Sequence, residues 1–343
     1  MSSVSEVRIG PPVRTTLLVA TLTAAWLGVV ALVGLHRPPW GDERHYLDAV
    51  QAFGHDMSVD RLRAYEELPP PLAFALHAWW GRLVGFEPAR LRLLSLATAF
   101  LTTLAVLALA RRALASERDA VLGTLFFLFH PYTVGLSLFV FNDMPAILCA
   151  VLLAVGIATN RPALVVVSSA AGLMIRQYFA FLTAAAAVYY AIRWAKLRRR
   201  GDLVAIGALA ASCLPLVAMF LLWQGFVPPG LRRGKFLSEG LGFNPASVTL
   251  YVTQLFTYLW PLLILASRSW VSSSRRWWVW IGVASLAYWL APVRPSPAQV
   301  AAGHTVGFLH RVVRATIGRL GMIGEDVFFW ICLLYTSPSP RDS

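Results

Sequence analysis

The sequence predicts an all-α polytopic membrane protein, and three observations carry that reading. Of 343 residues, 57% are hydrophobic and only 14% charged, whereas a soluble domain carries about a quarter charged residues. Apolar stretches long enough to cross a hydrocarbon core of about 30 Å as helices recur along the chain. The basic residues gather at the ends of those stretches. The net charge of +13 therefore reads as an orientation signal and a contact with anionic headgroups, and not as nucleic-acid binding.

Taken in order, the expected spans are 15–35, 91–110, 120–138, 144–159, a paired segment 162–192, 203–223, 248–266 and 277–292. The first has no convincing small-residue cleavage site and reads as a retained signal anchor. Arg111, Arg112 and Arg118, then Arg161, Arg193 to Arg200, and Arg268, Arg275 and Arg276 mark one side as cytoplasmic. This requires that Pro71 to Phe86, which contains His77 and Arg82, lies as a juxtamembrane or partly inserted helix on the outer face.

The segment Pro162 to Tyr190 is apolar except for Arg176 and Gln177. As one helix its 29 residues would extend about 43 Å, too far for an untilted crossing. Two shorter helices meeting near Arg176 are expected instead. No fixed-period repeat is present, so residues 1–332 read as a single membrane domain. The end, Leu333 to Ser343, resembles translated sequencing-adapter read-through. The expectation is a non-native tail at 333–343 on a chain whose natural C-terminal part is missing.

With this topology the outer face collects the loop 36–90, the Asn142-Asp143 turn, Arg176-Gln177 and the loop 224–247. Ionisable groups at membrane depth are costly and usually functional. Within the run Trp40-Gly-Asp-Glu-Arg-His-Tyr46, Asp42 and Glu43 open an interfacial helix with apolar positions Tyr46, Leu47, Val50 and Phe53. One reading makes Asp42 a helix cap and Glu43 a complement to the helix dipole. The other makes one of them a general base that removes a proton from an attacking hydroxyl. Adjacent helical carboxylates point about 100° apart, so only one faces a site.

Asp143 is either ordinary turn and helix-start chemistry or a partner for a sugar hydroxyl. Arg176 pairs with Asp143 or Glu43, or else its planar fork clamps a lipid phosphate with Gln177 as a neutral donor beside it. His45 and Arg232 join these as candidate substrate-binding residues, Arg232 with Arg233 and Lys235 as a solvated basic loop or a diphosphate contact. Cys149, Cys213 and Cys332 sit in apolar stretches without metal or disulfide spacing. His45, His77, His304 and His310 form no recognisable ligand motif. No metal site is expected, although a divalent cation stays open. Nucleotide-cradling and serine-hydrolase motifs are absent from the sequence.

The acidic pair after the first span, the Pro70-Pro71-Leu72 helix start and the run Glu87-Pro-Ala-Arg-Leu-Arg92 resemble the GT-C membrane glycosyltransferases. Arg176-Gln177, Trp223-Gln-Gly225, Gln254, Tyr258 and Trp260-Pro261 are similar in order to the alpha-1,2-glucosyltransferase that completes the dolichol-linked oligosaccharide. The resemblance covers about residues 15–266. It implies a GT-C-like helical bundle with juxtamembrane helices in its first outer loop. It also implies transfer of a hexose from a polyprenyl-phosphate donor to an acceptor hydroxyl, with inversion and without a cofactor. Asp42 is then the base, Glu43 its support, and Arg176 the donor-phosphate contact. Implied partners are the lipid-linked sugar, a glycan or lipid-linked acceptor, and membrane lipids. The Ala-, Arg- and Leu-rich composition points to a bacterial inner membrane with a periplasmic site.

A transporter or lipid flippase is the rival from another class. Such proteins show repeats and ionisable clusters at the bilayer midplane, and neither is visible in this sequence. A non-catalytic scaffold would disperse its polar groups, whereas here they fall on one face.

Overall fold

The computed structural model describes residues 12–39 and 42–232, all within the compact unit Met1–Ser238. The spans 248–266 and 277–292, Trp40, Gly41, Arg233, Lys235, Gln254, Tyr258, Trp260, Pro261, His304, His310, Cys332 and the tail 333–343 lie outside the described residues.

Every described element is a helix. They are α1 (Pro12–Gly34), α2 (Glu43–His55), α3 (Val59–Arg63), α4 (Leu72–Val84), α5 (Pro88–Ala113), α6 (Glu117–Phe129), α7 (Pro131–Leu138), α8 (Asp143–Ala158), α9 (Pro162–Ile175), α10 (Phe179–Leu197), α11 (Arg200–Ser212), α12 (Leu214–Trp223) and α13 (Pro229–Arg232). Val13–Gly34, Pro88–Ala113 and Arg200–Trp223 are long and apolar enough to cross a membrane, and α8 and α9 are shorter apolar helices. The chain is an all-helical polytopic membrane protein. Leu32, Phe181, Val204 and Leu221 turn exposed apolar side chains outward, as a lipid-facing surface requires.

Local chemistry sets the boundaries. Proline opens α5 and α9 at the first turn, where its missing N–H costs nothing. Ser116 caps α6 by accepting a hydrogen bond from the Asp119 N–H at 3.0 Å. One expectation for a continuous helix needs correction. The span 120–138 is broken into α6 and α7, because Pro131 cannot donate into a helix and holds His130 extended (φ −63°, ψ 129°). The span 203–223 is present as Arg200–Trp223, with a single turn residue at Cys213 just before Pro215.

The paired segment divides as its length demands, with α9 ending at Ile175 and α10 starting at Phe179. No proline or glycine makes that turn. The buried Phe179 ring lies over Gly172, where an added Cβ would come within 2.6 Å of three ring atoms. That close approach fixes the three residues between the helices.

Four clusters form the core of the described part, the smallest being Val19, Leu107 and Ala120 of α1, α5 and α6. One joins α8 to α11 around Leu153, Leu173, Phe179 and Tyr190. A second joins α1, α5 and α7 around Val30, Leu96 and Leu136. A third packs α2 on α4, with Tyr46, Val50, Phe53, Tyr65, Phe74 and Trp223. The apolar positions of α2 fall on the buried face in the order their spacing predicts. α4 lies antiparallel against the first turns of α5: Trp80 Nε1 donates to the Arg90 carbonyl at 2.9 Å, and His77 meets Ser95 at 3.4 Å. Within the loop 36–90, α2 and α4 are thereby clamped to one end of the bundle. The opposite end is the arginine-rich one, where Arg111 bridges Thr16 at 2.8 Å and Arg193 pairs with Asp202.

Candidate functional site at the loop end of the bundle

α1 ends at Gly34 and α2 begins at Glu43, whose side chain packs against α5. Asp42 and Glu43 meet different environments there. Glu43 is fully buried against an equally buried Arg92 from α5, with Nη2 to Oε2 at 2.7 Å and Nε to Oε1 at 2.9 Å. Oε1 also accepts the Val140 N–H at 3.0 Å. The Arg92 Nη1 donates to the carbonyls of Leu35 at 2.7 Å and Arg37 at 2.6 Å. It thus satisfies acceptors that the end of α1 would leave orphaned. One ion pair ties α1, α2, α5 and the chain leaving α7 together. Glu43 is therefore committed to the scaffold.

Asp42 is exposed and sits at the N-cap of α2 in helical geometry (φ −68°, ψ −14°), without a side-chain cap bond. Among the described residues its carboxylate has no hydrogen bond or ion pair. The cap reading of Asp42 does not describe this geometry.

Asp143 and Arg176 come together from α8 and the α9–α10 turn, with Nη2 to Oδ2 at 2.7 Å and side chains 24% and 18% exposed. Arg176 Nε is buried with no hydrogen-bond partner among the described residues. The Tyr178 ring stands beside the guanidinium, its centroid 6.0 Å from Cζ, and its hydroxyl donates to Asp143 Oδ1 at 3.4 Å. Desolvation works against the Arg176 charge, but Asp143, Tyr46 and Tyr178 outweigh it and hold the proton more firmly. Gln177 donates its amide to the Leu68 carbonyl and so pins the chain ahead of α4.

Two further groups complete the cluster. Tyr46 is one helical turn beyond Asp42, 7% exposed, with its ring edge-on to Phe74 at 5.1 Å and to Phe141 at 6.1 Å. Burial raises its phenol to about 12, and Arg176, Asp143, Asp42 and Glu67 all act on it. Glu67 is half-buried; burial raises its carboxyl, with His45 acting in opposition and Asp42, Asp48 and Glu66 adding to the rise.

Of the residues singled out from sequence, Asp42, His45, Asp143, Arg176 and Gln177 fall at this one end of the bundle, and Glu43 lies beneath it. Arg232 belongs to α13, and the structure does not describe its side chain. Tyr46, Glu67, Arg92 and Tyr178 were not legible as site residues. Tyr46 fits the apolar pattern of α2, and Glu67 is one of two adjacent glutamates before Pro69. Arg92 carried the one available signal, an arginine inside the first turns of an apolar helix. Among the described residues no group of three or more His, Cys, Asp or Glu is arranged for a metal ion. A cavity of about 390 Å³ lined by Arg63, Leu221, Leu222, Trp223, Gln224 and Pro229 contains none of the site residues.

No protein-family model matches the chain, and no curated protein is significantly similar to it. Among solved structures the chain is similar to the S. cerevisiae protein O-mannosyltransferase Pmt1-Pmt2 complex bound to the sugar donor. The identity is 16% and the TM-score 0.48, over 64% of this chain and 34% of that chain, so the chain spans about a third of the length of that protein.

Proposed function

We propose that this chain is a membrane-embedded glycosyltransferase that moves a hexose from a polyprenyl phosphate to an acceptor hydroxyl. The observation that carries the reading is the division of labour between two adjacent carboxylates. Glu43 is locked against Arg92 with no exposure, while Asp42 next to it is exposed and, among the described residues, makes no side-chain hydrogen bond or ion pair. A general base needs an accessible carboxylate on a rigid support, and the buried ion pair supplies the support.

In this reading Asp42 takes the proton from the acceptor hydroxyl as its oxygen attacks the anomeric carbon. The bond from that carbon to the phosphate oxygen breaks, and the phosphate leaves with the electron pair. Attack opposite the leaving group inverts the centre. Arg176 retains a donor at Nε for the departing phosphate, with the guanidinium held by Asp143. Gln177, His45 and Arg232 are assigned to substrate contact. The arginine-rich opposite end supports a periplasmic or lumenal site by the positive-inside rule.

The test is transfer by the purified chain in proteoliposomes supplied with polyprenyl-phosphate hexoses and a hydroxyl acceptor. Asp42→Asn is expected to lose transfer by at least about a hundredfold while retaining the wild-type melting temperature. Transfer by Asp42→Asn at the wild-type rate would remove the base. A topology reporter that places residue 45 in the cytoplasm would overturn the assignment of the face.

A further inference from the structure

We infer, resting on the glycosyl-transfer reading, that the side-chain amide of Asn142 is a second donor to the phosphate of the lipid-linked substrate, beside Arg176.

The fold leaves this amide unused. Asn142 is 1% exposed, and its Nδ2 is buried with no hydrogen-bond partner among the described residues. A buried donor without an acceptor is costly and calls for an explanation. Asn142 stands at the N-cap of α8, where an asparagine side chain ordinarily bonds back into the first turn. It makes no such bond, and the third residue of α8 is Pro145, which has no N–H for a cap to hold. Capping therefore does not account for the side chain. Its backbone is nonetheless firmly placed. The Val140 N–H donates to Glu43 Oε1 at 3.0 Å, the Phe141 N–H to the Phe139 carbonyl at 2.9 Å, and the Ala146 N–H to the Asn142 carbonyl at 3.2 Å. The residue is thus tethered on one side to the buried Glu43–Arg92 pair and on the other to α8.

Asp143 brings this amide and Arg176 to one place. It follows Asn142 directly, with about 3.8 Å between successive Cα atoms, and its Oδ2 meets Arg176 Nη2 at 2.7 Å. Arg176 Nε is likewise buried without a partner among the described residues. Two neighbours of a single carboxylate therefore each keep an unspent N–H, while the carboxylate itself is already paired. Both groups can only donate, so their ligand must supply acceptors. A sugar hydroxyl also carries a proton to give, whereas an ionised phosphate oxygen only accepts and strengthens every bond it receives. The positive end of the 16-residue helix α8 starts at the same point and favours the same charge. Asp143 and Arg176 are 24% and 18% exposed, so the ion pair is the open edge of the group. The two donors lie behind that edge, out of water, where a hydrogen bond to an ion is worth most.

The experiment reads binding and melting temperature together. Wild type, Asn142→Leu and Arg176→Lys in nanodiscs are titrated with citronellyl phosphate, with citronellol and with inorganic phosphate. Wild type is expected to bind citronellyl phosphate at least about tenfold more tightly than either of the other two. Asn142→Leu should weaken citronellyl phosphate by about tenfold, the worth of a hydrogen bond to a charged group, and leave citronellol unchanged. Its melting temperature should equal or exceed that of wild type, because an apolar side chain of like size replaces an amide with an unmet donor. Arg176→Lys keeps the charge beside Asp143 but removes Nε, and should show the same selective loss. Unchanged binding of citronellyl phosphate by Asn142→Leu would overturn the inference. Equal weakening of citronellol, or a lowered melting temperature, would make Asn142 a structural brace and overturn it as well. Inorganic phosphate bound as tightly as citronellyl phosphate would assign the donors to a free anion and remove the lipid-linked ligand. If citronellyl phosphate behaves as stated but wild type transfers no hexose from any polyprenyl phosphate, the transfer reading fails and the phosphate contact stands.

Discussion

Glu43 and Arg92 form a fully buried ion pair, 49 residues apart in sequence, from which four parts of the chain hang. Removing one member of such a pair leaves an uncompensated charge and costs about 3–5 kcal/mol. Glu43→Gln is therefore expected to lower the melting temperature in detergent sharply. Asp42→Asn, at an exposed position without an ion pair among the described residues, should leave it within the range of ordinary surface substitutions, about 0.5 kcal/mol. Differential scanning fluorimetry on the two variants checks the contrast. Equal melting temperatures would deny the scaffold role of Glu43.

The turn that presents Arg176 depends on Gly172. The Arg176 N–H donates to the Gly172 carbonyl at 2.8 Å, and the Phe179 ring fills the space where a side chain would start. Gly172→Ala pushes a fully buried ring away from α9, and overpacking of this kind costs about 1–3 kcal/mol. Transfer activity is expected to fall more than the folded fraction does, because the displaced turn carries Arg176 and Gln177. Gly123→Ala is the control, since an added Cβ there meets nothing closer than 3.8 Å. Matching activities of the two alanine variants would disprove the coupling.

Much of this arrangement was legible in the sequence because it follows from local rules. Apolar length set the spans, the excess length of 162–192 demanded a turn at Arg176, and helical spacing put Tyr46, Leu47, Val50 and Phe53 on one face. The break at His130 was also encoded, in Pro131, but an uninterrupted apolar run hides a proline from a hydropathy reading. The roles of Glu43 and Asp42 were harder to separate. Whether a carboxylate is bound or available depends on Arg92 and Val140, which only the packed bundle brings beside it. Glu67 and the Tyr46 hydroxyl belong to the same class. Their meaning comes from neighbours on other helices and not from spacing.

His77 gives the structure a pH dependence with a definite sign. Its Nδ1–H donates to the Ala73 carbonyl at 2.9 Å and its Nε2 faces the Ser95 hydroxyl at 3.4 Å. Burial lowers its affinity for a proton below the ordinary value, with the Ala73 contact opposing. The unfolded chain then binds more protons than the folded one as pH falls through about 6.5. Stability is accordingly full above that pH and declines below it. Melting temperatures of wild type measured from pH 8 to pH 5 should fall, and those of His77→Gln should fall less over the same window. Parallel curves for the two proteins would assign the decline to other groups.

The Arg176–Asp143 pair separates a structural from a chemical role by exchange of its members. Either Arg176→Asp or Asp143→Arg alone sets two like charges where opposite charges now meet at 2.7 Å, and both should destabilise. The double exchange restores attraction, so its melting temperature is expected to recover toward wild type. Activity should not recover with it. The exchange moves the guanidinium from the α9–α10 turn to the start of α8, and the donor that Arg176 Nε now offers goes with it. Transfer by the double variant is expected to stay at least about tenfold below wild type, since a charge-assisted contact to phosphate is worth about 1.5–3 kcal/mol. Full recovery of transfer together with stability would reduce the pair to a brace between α8 and α9, and the phosphate contact would have to come from elsewhere in the chain.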